Sequence, residues 1–199
     1  MGQGVVDGGS WPETHGSEAS RALMEKARRG DRRAFDTLVG DYANMVTGLA
    51  WKFLGSRDDA LDCAQDAFVK AWENVERYDP KWSVATWLRR IVTNLALDRL
   101  RRRRPVAAFD LSAEDFLPAD VERPDAAAAR LERADSVREI LSALPEKYRT
   151  VLVLRDMEGA EISDIARITG TNAATVRWRL HRARALFRDR WSAVWNKEQ

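Results

Sequence analysis

Apolar residues recur at steps of three and four along most of this chain, which predicts helices rather than strands. Ala34, Leu38, Val39, Tyr42, Val46, Leu49 and Phe53 mark a first long helix, within a helical pattern that starts near Ser20. Gly55-Ser56 interrupts it. A second helix is predicted over 58–76, with Leu61, Ala64, Phe68, Ala71 and Trp72 on one face and Asp79-Pro80 ending it. A third begins near Val84, carries Trp87, Leu88, Ile91, Leu95 and Leu100, and stops at Pro105. Four more follow, over 136–143, 146–157, 161–168 and 172–190. Pro145 stands at a helix start, where its missing N–H costs nothing. Gly159 and Gly170 fall where helices end. No strand alternation and no internal repeat is present. The fold class expected is all-α: two small helical domains joined by a flexible linker.

The polar stretches divide the chain. Residues 1–19 are rich in Gly, Ser and Glu and read as a flexible tail, in which Trp11 stands out. Residues 105–135 hold three prolines and eight acids against three arginines, and read as a linker; 126–133 is a candidate helix start within it. About 30 residues of coil span roughly 30 Å r.m.s., enough to hold two modules on separated sites. The first module is then 20–104 and the second 136–195.

Composition changes the picture mainly by exclusion. Of the 199 residues, 45% are hydrophobic and 32% charged, so the chain can bury a core. One cysteine (Cys63) and two histidines (His15 and His181) leave no internal disulfide and no Cys- or His-based metal cluster. No apolar run is long enough to span a membrane, and the amino terminus lacks a signal-peptide pattern. A cytoplasmic protein is expected, with no cofactor and no metal. No Ser/His/Asp or Cys/His set and no phosphate-binding Gly loop is present, so the chain is not expected to be an enzyme. The net charge is only +2, so any nucleic-acid signal has to be local.

That local signal is strongest in EISDIARITGTNAATVRWRLHRARALF, which reads as a helix-turn-helix. Ile162, Ile165, Ala166 and Ile168 face inward on its first helix. Gly170 supplies the turn and Asn172 the N-cap. Val176, Leu180, Ala183 and Phe187 form the buried stripe of the second helix. Arg177, His181, Arg184 and Arg188 share an exposed face, flanked by Arg179, Arg182 and Arg190, with Asp189 opposing. Trp178 points away from the stripe. An α-helix fits the major groove, where Arg pairs with guanine and grips phosphate. The bland alternative is a solvated basic helix in an ordinary bundle; a Gly turn, a small crossing residue and an Arg face together favour duplex DNA.

The first module carries a second cluster, ATWLRRIVTNLALDRLRRRRP, with seven arginines between Arg89 and Arg104 and one acid, Asp98. Trp82 and Trp87 precede it. Cations that track phosphates beside aromatics that stack on bases suit single-stranded or melted DNA, with Asn94 a candidate base reader. Equally, Trp87 and Ile91 are simply core and the arginines a solubilising end. The helix before it is acidic. Asp58, Asp62 and Asp66 stand at four-residue steps, with Asp59 and Gln65 beside them. One helix face is a poor metal cage, since such ions want ligands from several directions. A docking face for a basic partner fits better, with a plain solvated face as the fallback.

Taken together, the modules resemble the extracytoplasmic-function class of bacterial RNA polymerase sigma factors. DALDCAQDAFVKAW and ATWLRRIVTNLALDRLRRRR resemble sigma domain 2; LPEKYRTVLVLRDMEG and the helix-turn-helix resemble sigma domain 4. The resemblance covers about 22–188. It implies that Asp58, Asp59, Asp62, Gln65, Asp66 and Lys70 bind the clamp helices of the polymerase β′ subunit. It implies that Trp87, Arg90, Asn94, Asp98, Arg99, Arg101 and Arg102 recognise and help melt a −10 element, where a base must leave the stack. It implies that Thr171, Asn172, Thr175, Arg177, Trp178, Arg179, His181, Arg182 and Arg184 read a −35 element. Domain 4 sits on the β flap in this picture, the linker threads the polymerase, and an anti-sigma factor holds the protein inactive, released in a stress or envelope-signal response. Asp66 stands where Glu is usual in the family and Cys63 where an aliphatic residue is usual, so Cys63 is expected to be buried and inert. Two other readings remain: a decoy that binds anti-sigma factors without DNA, which usually carries a receiver domain and fewer arginines, and an ordinary helix-turn-helix repressor, which leaves the first module without a role.

Overall fold

The computed structural model describes residues 18–102 and 136–195. The tail with Trp11, the 105–135 linker with its candidate helix, and Arg103 and Arg104 lie outside the described residues. Among the described residues there are helices and no strand. They are α1 (Glu18–Arg28), α2 (Arg32–Leu54), α3 (Arg57–Glu73), α4 (Val84–Arg102), α5 (136–143), α6 (Glu146–Leu152), α7 (Ile162–Thr169) and α8 (Ala173–Trp195). None is long and apolar enough to cross a membrane.

In the first unit α2 is the central element, packed against α1, α3 and α4. Phe35, Leu38, Tyr42, Val46, Leu49 and Phe53 are buried along it at helical steps, as the pattern predicts. The pattern does not predict the break before it. Gly30, at φ 90°, turns the chain, and Asp31 caps α2 by accepting from the Ala34 amide at 3.1 Å. Gly55, at φ 73°, closes α2 by donating its amide to the Trp51 carbonyl at 2.8 Å.

Two expectations need correction. The second helix does not run to 76: it ends at Glu73, and a 3₁₀ turn (Val75–Arg77) follows. Asn74 stops it, its backbone bonding back to Ala71 and its side chain to the Lys70 carbonyl. Leu61 faces outward, 43% exposed, while Ala60, Cys63, Ala64, Ala67 and Ala71 make the buried face. Small residues let α3 approach α2 closely. On α4 the buried line is Val84, Leu88, Val92 and Ala96, with Trp87, Ile91 and Leu95 half-buried beside it.

The second unit is α5 to α8. Pro145 precedes α6, and α6 widens into a π turn (Val153–Met157). Its end is closed by Glu158 donating to Val153 O at 3.0 Å and Ala160 to Leu154 O at 2.8 Å, with Gly159 at φ 70°. Ile165, Ile168, Val176, Leu180 and Ala183 are buried, and Ile162, Ala166 and Phe187 half-buried. Each large buried side chain contributes about 2 kcal/mol. The helix-turn-helix is therefore held mainly from its apolar side.

Candidate nucleic-acid interface

Ser83 starts α4: its hydroxyl accepts from the Thr86 amide at 3.0 Å. Ahead of it, the Tyr78 hydroxyl donates to Trp82 O at 2.5 Å and an Asx turn forms at Asp79. These bonds present Trp82 and Trp87 at the mouth of the helix. Trp87 packs edge-on against Tyr78, centroids 5.4 Å apart, and the Arg90 guanidinium lies 5.1 Å from the Trp82 ring.

From Trp87 a line of residues three and four apart runs along α4: Arg90, Asn94, Asp98 and Arg101. Arg90, Asn94 and Arg101 are exposed, and Trp87 and Asp98 are half-buried. This is an aromatic followed by cations and an amide, the composition that follows a single strand. Arg102 is exposed next to it. Arg99 does not join them. It turns toward α3, where it donates to Asp66 at 2.5 Å and to the Asp59 carbonyl at 3.2 Å. A residue assigned to DNA and one assigned to polymerase thus hold each other. Arg89 also leaves the cluster, being buried at 3% exposure.

On α3, Asp58, Asp62, Gln65, Asp66 and Lys70 are exposed and Asp59 half-buried. Leu61 and Val69, 43% and 58% exposed, lie among them, so the face is acidic and apolar together. Sequence reading missed that apolar half because it placed Leu61 in the core. Among the described residues no group of three or more metal-ligating side chains converges.

The second candidate surface is the start of α8. Asn172 caps it, its side-chain oxygen accepting from the Thr175 amide at 2.8 Å. Thr171 donates its amide to Ala166 O at 2.9 Å and is fastened to the turn. Arg177, Trp178, His181 and Arg182 are exposed, and Thr175 and Arg179 are half-buried. Trp178 is 57% exposed, with the Tyr148 ring 6.2 Å away and the Lys147 ammonium 5.0 Å over that ring. Lys147 and Tyr148 were not among the predicted residues; they come to α8 from a distant helix. Arg184 is engaged by Asp156, two bonds at 3.0 and 2.5 Å. It reads as an anchor of α8 onto α6 more than as a hand reaching for a base.

The chain matches two families over these units: Sigma-70 region 2 at residues 38–106 and Sigma-70, region 4 at residues 134–187. An RNA polymerase sigma-H factor of Pseudomonas aeruginosa is 39% identical over 176 residues, 84% of this chain and 91% of that protein. The ECF RNA polymerase sigma factor SigW of Bacillus subtilis is 32% identical over 173 residues, 83% of this chain and 92% of its own. Among solved structures, CnrH in complex with the cytosolic domain of CnrY is 30% identical, covers 92% of this chain and 100% of its own, and superposes with a TM-score of 0.67.

Proposed function

The chain belongs to the ECF RNA polymerase sigma factors, and from that premise we propose that it grips a promoter at two points. One point is the line Trp87, Arg90, Asn94, Asp98 and Arg101 of α4, with Arg102 beside it, set against melted −10 DNA. The other is the start of α8, where Thr171 and Asn172 fix the helix and Thr175, Arg177, Trp178, Arg179, His181 and Arg182 face a −35 duplex. The observation that carries this is the pair of Arg- and Trp-bearing helix faces in one chain, exposed at Arg90, Asn94 and Arg101 on α4 and at Arg177, Trp178 and His181 on α8, each on a unit matching the corresponding sigma region.

Chemistry assigns the strands. Unstacked bases need an aromatic platform and flanking cations, which α4 supplies. A duplex needs a helix end that enters the major groove, which α8 supplies. The mixed acidic and apolar face of α3 docks on core polymerase, on the β′ clamp helices, and the second unit docks on the β flap. An anti-sigma partner restrains it until a stress or envelope signal arrives. It works in the cytoplasm, as a binding factor whose chemistry is done by the polymerase.

In vitro transcription tests this. Core polymerase plus this protein is expected to start at a distinct subset of promoters from the source genome, and Asn94→Ala and Arg177→Ala each to lower those transcripts tenfold or more. Absence of start-site selection on every such promoter overturns the reading.

A further inference from the structure

On the exposed start of α8 one side chain differs in kind from its neighbours. Arg177, His181 and Arg182 offer hydrogen-bond donors to phosphates and base edges, whereas Trp178 offers a broad apolar ring that is 57% exposed. A large aromatic left mostly in water forgoes the stabilisation that burial gives. The other large apolar side chains exposed among the described residues, Leu61, Val69 and Met157, lie on other elements.

Trp178 is exposed but backed. Tyr148 of α6 is buried, and its ring stands 6.2 Å from the indole at an angle of 52°. The Lys147 ammonium lies 5.0 Å over the Tyr148 ring and holds it by attraction to the π face. Tyr148 has a firm base. Its amide donates to the Pro145 carbonyl at 2.9 Å, and Val151, a turn further on, is fully buried. A ring fixed in this way restricts the two side-chain torsions of its neighbour. A side chain held in its binding pose loses less freedom when it meets a ligand.

The surroundings indicate which ligand. From Ala173 to Arg188 α8 carries no acid, so the rim of the indole suits a polyanion. Trp178 stands in the second turn of a helix whose capped end enters the major groove. Base edges there show hydrogen-bond donors and acceptors, which arginines read, and an apolar group, the C5-methyl of thymine. An indole face complements that methyl.

Resting on the −35 assignment of α8, we propose that Trp178 selects thymine at one position of the −35 element through its C5-methyl, and that Tyr148, outside the helix-turn-helix, is the positioning residue that holds the indole against it.

Holoenzyme binding to a fluorescent fragment of the promoter with the strongest transcript tests this. Each thymine of its −35 element, on either strand, is replaced in turn by deoxyuridine, which removes the methyl and nothing else. Wild type is expected to lose about fourfold in affinity at one position, the factor for one methyl taken from water. Trp178→Ala, at an exposed site, is expected to bind both forms alike at that position, whereas Arg177→Ala binds more weakly and keeps the difference. Tyr148→Leu is expected to lose most of the difference with unchanged far-UV helicity, and Tyr148→Phe to retain it. Should Tyr148→Leu fail to fold, fluorine NMR of 5-fluorotryptophan placed at 178 decides in the native fold. A single sharp line supports a held indole; exchange between rotamers overturns positioning, as does a difference that survives Tyr148→Leu. Equal affinities at every −35 thymine, or a difference that survives Trp178→Ala, overturn the methyl contact and leave Trp178 to a protein partner. Start-site selection without a methyl effect overturns this contact alone; no start site on any promoter overturns it together with the −35 reading.

Discussion

Cys63 shows how far a single residue can be argued. It is fully buried on α3, and burial pushes its thiol up to about 11, against a smaller opposing pull from Arg99. The thiolate is the reactive form, so the native protein should resist iodoacetamide at pH 8 and react only in denaturant. Native alkylation at the rate of a free thiol refutes this. The sign for stability follows. Between about pH 9 and 11 the unfolded chain loses this proton and the folded chain keeps it, so stability falls as pH rises through that window. Its burial was legible from the family resemblance, in which an aliphatic residue is usual at this position. The fates of Arg89, Arg99 and Arg184 were not. Each sits in an Arg-rich run, and only partners from other helices, Glu158, Asp66 and Asp156, separate them from the arginines that remain exposed.

At the scale of elements, the helix-turn-helix was readable because every device in it is local. Gly170 turns at φ 63°, Asn172 caps, and Val176, Leu180 and Ala183 follow at helical steps. Asn172→Ala is expected to cost about 1 kcal/mol of stability by removing the bond to the Thr175 amide, seen as a lower melting temperature. An unchanged melt shows the cap to be dispensable. α3 was read less well. Its length was overrun because Asn74, which ends it, is not a strong stop in sequence. Its exposed face was half-seen because Leu61 fits the helical period but not the packing. That face makes its own prediction. Asp62→Arg should weaken binding to core polymerase tenfold or more without loss of helicity, measured by titration of labelled protein; undiminished affinity removes α3 from the polymerase contact. Asp66 is a poorer probe, since it also holds Arg99.

For the whole molecule, two units joined by a long polar stretch suggest independence, whereas the structure packs α7 of the second unit against α4 of the first. Of the charge pairs between them, Arg101–Glu146 is the exposed one, so this contact is expected to weaken as salt rises.

Sequence by itself determined the helical class, the two modules, the helix-turn-helix and the family resemblance. The first three follow from periodicity, caps and charge runs, which act over a few residues; the resemblance rests on contiguous motifs such as DALDCAQDAFVKAW and LPEKYRTVLVLRDMEG. Tertiary structure alone decided which arginines are exposed, that Leu61 faces out, that Lys147 and Tyr148 join Trp178, and that Glu158 meets Lys52 and Arg89 more than 60 positions away. Contacts between helices distant in the chain leave no period behind, and a charge looks the same in sequence whether its partner is an acid, a phosphate or water.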